Sequence, residues 1–128
     1  IDIRILLEQA ILNDFPLDQL SYALQQHLAP RVIRVNGFSS EFIAVFRSIL
    51  AGCKHSVALT KAYLRRTTDE VDHEYPDAHT ELFVDDTVMS ATKKTICETI
   101  NAIVPAILLF AKRVKTTLKL SLAPKAVI

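Results

Sequence analysis

At 128 residues the chain has room for one hydrophobic core and not for two. Half of its residues are apolar and only two are glycine, which excludes a disordered chain and a loop-rich secreted scaffold. A formal net charge of +1 hides two blocks of opposite sign: eight acids with no Lys or Arg between Thr67 and Thr92, and Lys112, Arg113, Lys115, Lys119 and Lys125 with no acid in 111–128.

Ile3, Leu6, Leu7, Ala10 and Ile11 fall at helical spacing and predict a first helix. After the break "NDFP", Leu17, Leu20, Leu24 and Leu28 predict a second, with Pro16 suited to a first turn and Pro30 to a stop. "RVIRVNGFSSEFIAVF" then places two β-rich runs around Asn36-Gly37, a dipeptide that tolerates positive φ at both positions, so a hairpin is expected there. A third helix is expected from Ser56 as N-cap to about Glu74, stopped by Pro76. "TELFVDDTVMSA" reads as strand, turn, strand, over about 80–84 and 87–91. Ile96, Ile100, Ile103, Val104, Ile107, Leu108 and Ala111 mark a fourth helix over about 93–114, with Pro105 as a candidate kink, and "LKLSLAPKAVI" is expected to close the chain as a strand. This order predicts one α+β domain over 1–128, an antiparallel sheet with helices packed on one face.

Cys53 and Cys97 lie far apart with no zinc-ligand spacing, so a reducing intracellular setting, cytoplasmic or nuclear, is expected. The start "IDIRILLEQA" carries charges inside its apolar stretch and does not read as a signal peptide. The longest apolar run, 102–111, is too short to span a bilayer and contains Pro105, so no membrane partner is expected. His27, His55, His73 and His79 share no metal-ligand spacing as a set and are expected at the surface.

Asp85 and Asp86 stand side by side between two β-branched runs. Adjacent carboxylates repel, and their desolvation is unfavourable unless a cation compensates. Hard oxygen ligands suit Mg²⁺ or Mn²⁺, which in two-metal sites neutralises charge on the attacking and leaving oxygens of a displacement. The competing account is an Asx turn at a hairpin tip, since Asp is a common turn residue.

The flanks bear on that choice. "FVDD", 83–86, resembles motif C of reverse transcriptases, in which an aromatic residue, any residue and two aspartates lie between apolar strands. Phe in the aromatic position is common in the group II intron and non-LTR retroelement (retrotransposon) branches. "PRVIRVNGFSSEFIAVFRSILAG", 30–52, resembles the stretch leading to motif B, "GCKHSVALT", 52–60, lies where motif B would fall, and 118–128 is similar to motif D, with Lys125 in the place of its lysine. The resemblance covers roughly 16–128 and implies the palm of an RNA-directed DNA polymerase. It implies further that Asp85 binds Mg²⁺ (or Mn²⁺), that Asp86 supports it, that Phe83 packs beside the primer end and that Lys125 lies near the incoming triphosphate. Gly52, Lys54, His55 and Ser56 would stand where template and nucleotide are seated. The partners implied are an RNA template, a DNA primer and a deoxynucleoside triphosphate.

The chain also departs from the family pattern. Where motif B has Pro, Gln and a second Gly, it has Lys54, His55 and Ser56. No aspartate with motif A context precedes the first helix; Asp2 is close to that region but has none of the expected neighbours. One carboxylate pair under-ligands two metals. The expectation is therefore a partial palm domain that lacks its fingers and motif A, binds metal weakly and is inactive as this chain. The alternative is a non-catalytic, degenerate α+β remnant that at most binds nucleic acid or a partner protein.

Overall fold

The structure is a computed structural model and describes residues 1–46, 49, 53–83 and 86–122. Among them are four helices, α1 (Ile3–Leu12), α2 (Leu17–Leu28), α3 (Ser56–Glu74) and α4 (Ile96–Thr116), and two antiparallel ribbons, β1 (Arg34–Val35) with β2 (Phe38–Ser39) and β3 (His79–Phe83) with β4 (Asp86–Ser90). The architecture is α+β, as the alternation of helical and β-rich runs implies.

The helix ends follow local chemistry. Asp2 caps α1 by accepting the Arg4 N–H at 2.9 Å. Thr95 opens α4 with a capping box: its hydroxyl accepts the Glu98 N–H at 3.2 Å while the Glu98 carboxylate accepts the Thr95 N–H at 3.3 Å. Ser56, expected as the cap of α3, is instead its first residue, because its hydroxyl donates back to the Cys53 carbonyl at 2.6 Å and His55 takes the cap position. α4 runs through Pro105 as one helix.

α3 is the central element, packed against α1 on one side and α4 on the other. Leu6 and Ala10 from α1, Leu59, Tyr63 and Val71 from α3, and Ala106 and Val114 from α4 are almost wholly buried in one cluster, each larger aliphatic side chain contributing about 1.5–3 kcal/mol. Tyr63 fastens the two ends of the described chain to this core. Its hydroxyl donates to the Leu118 carbonyl at 2.5 Å and accepts the Asp2 N–H at 3.4 Å. Burial raises the Tyr63 pKa above that of a free phenol, so it remains a neutral donor.

The two ribbons form separate sheets among the described residues, not one continuous sheet. On β3–β4 burial alternates: Thr80, Leu82, Thr87 and Met89 face the helices, while His79, Glu81, Phe83, Asp86, Val88 and Ser90 are exposed. β3 packs on α3 and β4 on α4; with one face open, both helices lie on the other. Leu82 and Met89 carry that contact into the core. The β1–β2 ribbon is exposed at every strand residue. Residues 118–122 contain no strand; they turn back at Lys119, whose φ of 54° lies in the left-handed region, so that the Leu120 N–H reaches the Val114 carbonyl at 3.1 Å. The remainder of the expected last strand lies outside the described residues, as does Lys125. No helix among the described residues is long and apolar enough to cross a membrane.

Candidate functional site

The hairpin β3–β4 pairs Phe83 with Asp86, Leu82 with Thr87, Glu81 with Val88, Thr80 with Met89 and His79 with Ser90. Compared with the expected strands, both are shifted one residue toward the N-terminus. Asp86 is thus a strand residue rather than a turn residue, and it shares the open face with its partner Phe83, which is 74% exposed. Asp85, between them in sequence, lies outside the described residues. The ribbon is held to α3 by the Asp72 carboxylate, which accepts the Thr80 N–H at 3.2 Å.

The open face also carries a residue that motif reasoning passed over. Glu81 lies opposite Val88 and therefore diagonal to Asp86, a separation of about 7–8 Å in a regular antiparallel pair. Alternation with Phe83 at i, i+2 was the available signal. Its carboxylate is 3.7 Å from the His79 Nε2 on the same face. Among the described residues no three His, Cys, Asp or Glu side chains form a group that could hold a metal ion. The described donors therefore do not by themselves fit a divalent cation.

The segment matched to motif B forms the turn into α3. Lys54 is exposed, and His55 and Ser56 are half-buried; Gly52 lies outside the described residues. No acidic residue occupies the first turn of α3, which leaves its N-terminal dipole uncompensated there. Along α3, Arg65 and Arg66 turn toward carboxylates one turn on, Asp69 at 3.6 Å and Glu70 at 3.0 Å, and Lys61 is exposed.

The motif B turn and the hairpin tip are not brought together. Ser56 lies about 24 Å along the helix axis from Asp72, the residue that anchors Thr80. From Thr80 to Phe83 the strand advances only about 10 Å. Ser56 therefore stands on the order of 10 Å or more from Phe83 and Asp86.

His27 overturns the expectation that all four histidines are superficial. His73 and His79 are exposed, but His27, in the last turn of α2, is fully buried. Burial first, then the positive charges of Arg31 and His55, lowers its pKa below that of a free imidazole. A helical period of Leu20, Ala23 and His27 was the signal that placed it on the buried stripe.

No family model matches the chain, and neither a curated protein nor a solved structure does. The fold and the site define a class: an α+β unit with one core to which all four helices contribute, from which a hairpin covered on one face presents Glu81, Phe83 and Asp86 on the other.

Proposed function

We propose that the chain is the palm portion of an RNA-directed DNA polymerase that carries out template-directed nucleotidyl transfer in a longer protein, and that it is inactive alone. The observation that carries this reading is the pairing of Phe83 with Asp86 at the end of an antiparallel hairpin with one covered and one open face. In that setting the strand holds the Asp86 carboxylate rigidly outward, and Phe83 offers an exposed apolar ring beside it on which a primer terminus could stack. Mg²⁺ or Mn²⁺ would supply charge neutralisation at the transferring phosphate, with Asp85 and Asp86 as ligands and a further carboxylate from a motif A strand of the longer protein. Lys54 and the N-terminus of α3 suit a template or nucleotide phosphate.

The second reading, a non-catalytic α+β remnant that binds nucleic acid or a partner chain, is favoured by Lys54, His55 and Ser56 in place of the motif B residues and by the lack of a three-donor group among the described residues. A primer-extension assay separates the two. The chain alone is expected to extend no primer, and the chain joined to an upstream segment bearing a strand aspartate is expected to extend one in a manner abolished by Asp86→Ala. Extension by the short chain would refute the requirement for motif A, and failure of the joined protein would leave the remnant.

A further inference from the structure

An apolar groove of about 570 Å³ runs along α2, formed by residues that the polymerase reading does not use. α2 lines it with Leu17, Leu20, Ser21, Leu24, Gln25 and Leu28, and α1 adds Leu7. Among the described residues that line it, none carries a charge. Leu17 is 62% exposed, Leu28 39% and Leu7 37%, so the groove is open to solvent. α2 therefore has two stripes on adjacent faces. Leu20, Ala23 and His27 turn into the core, whereas Leu17, Ser21, Leu24 and Leu28 face the groove. The spacing of the second stripe, four, three and four residues, is that of the seam of a two-helix coiled coil. The seam also maps onto itself when the helix is reversed: Leu17 exchanges with Leu28, Ser21 with Leu24 and, on the flank, Leu20 with Gln25. The exposed stripe of α4, Ile96, Ile100 and Leu108, lacks this property, because the reversal that matches Ile100 with Leu108 sets Lys112 against Ile96.

We propose that this groove docks a second copy of the chain, with α2 packed antiparallel on the partner's α2 about a twofold axis passing between Tyr22 and Ala23. Four layers result: Leu17 on the partner's Leu28, Ser21 on the partner's Leu24, and the same two in reverse. Symmetry under reversal is what names the occupant. A twofold interface must be complementary to itself, whereas a foreign helix would need only the same spacing on this side. The antiparallel direction follows from the helix dipoles, since it sets the N-terminal turn of each α2, which carries Asp18, beside the C-terminal turn of the other. The uncharged lining leaves nothing in the seam to repel a copy. α2 has 12 residues and is about 18 Å long, so with Leu7 the contact falls short of about 1,200 Å² and gives a reversible dimer rather than an obligate one. The interface does not depend on the polymerase reading.

The test is sedimentation equilibrium of the whole chain from about 10 to about 500 µM, the range in which a contact of this size associates. The proteins are the wild type, Leu17→Glu, Leu28→Lys, the two changes combined, and Ile100→Glu on α4 as control. The wild type is expected to pass from monomer to dimer across this range. Each single change on α2 should raise the dimer Kd at least about tenfold, because it sets a charge against an apolar layer, and Ile100→Glu should leave the Kd unchanged. The combined variant should dimerise more tightly than either single one, since antiparallel pairing brings each introduced carboxylate opposite an introduced ammonium; parallel pairing would oppose like charges and weaken it further. If a variant does not fold, isotope-filtered NOEs in a mixed-label sample of the wild type decide, and cross-peaks from the Leu17 to the Leu28 methyls between chains are required. A wild type that stays monomeric would overturn the proposal and leave the groove to a segment of another protein. Dimerisation weakened by Ile100→Glu but not by Leu17→Glu, a combined variant no tighter than the single ones, or a lack of the Leu17–Leu28 cross-peaks would overturn it equally.

Discussion

The two ribbons have nearly the same local design and opposite fates. Each is an antiparallel pair around a short connection, and each was visible as β-rich runs bounded by turn residues. In β1–β2 the turn residues Asn36 and Gly37 adopt φ of 49° and 84°, as a tight hairpin turn requires, yet Val35 and Phe38 are 61% and 82% exposed. In β3–β4 the same kind of ribbon presents one covered face to α3 and α4. Turn chemistry is enough to make a hairpin. Only a helical surface of the right spacing gives it an inside and an outside, and only then does a residue such as Asp86 acquire a fixed direction.

The difference can be broken most sharply by a charge on each ribbon. Met89→Asp places a carboxylate on the covered face of β4 and is expected to destabilise the chain by about 2–3 kcal/mol, whereas Val35→Asp on the open ribbon should change stability by no more than about 0.5 kcal/mol. Urea unfolding midpoints measure both. Equal shifts would mean that β1–β2 is covered as well.

A smaller effect probes what holds β3 to α3. Asp72→Ala removes the acceptor of the Thr80 N–H and should cost about 1 kcal/mol. The loss should appear in the same cooperative transition, because β3 is part of the core. A transition confined to the hairpin would show instead that the ribbon is docked but not integrated.

The smallest global effect is expected from Gly37→Ala. A methyl group at Gly37 would meet nothing within 4 Å, so the substitution tests backbone strain alone, about 1 kcal/mol at a positive φ. Because the ribbon contributes little to the core, the unfolding midpoint should hardly move while amide exchange in 34–39 accelerates. A full 1 kcal/mol shift of the global midpoint would place β1–β2 inside the cooperative unit.

Much of this was legible in the residues. All four helices lie where apolar spacing placed them, since Leu6, Ala10, Leu20, Leu59 and Ala106 are the stripes that bury. Asn36-Gly37 located the first hairpin to the residue. Both strands of the second hairpin lie one residue earlier than expected, a shift that leaves the same side chains, Thr80, Leu82, Thr87 and Met89, facing the helices, so the burial pattern does not distinguish the two placements. His27 was misplaced because a lone histidine gives no polarity signal of its own. Its burial becomes visible only when Leu20 and Ala23 are seen on the same stripe.

The sequence by itself determined where the chain is helical and where it turns, because helix spacing, caps such as Asp2 and Thr95, and positive-φ residues such as Gly37 act over a few neighbouring positions. It also placed Phe83 in a strand. The tertiary structure alone decided that one ribbon is covered and the other open, that Asp86 and Glu81 share an exposed face, and that His27 lies buried in the last turn of α2. These outcomes depend on which surfaces meet across tens of residues, where desolvation and packing outweigh any local preference.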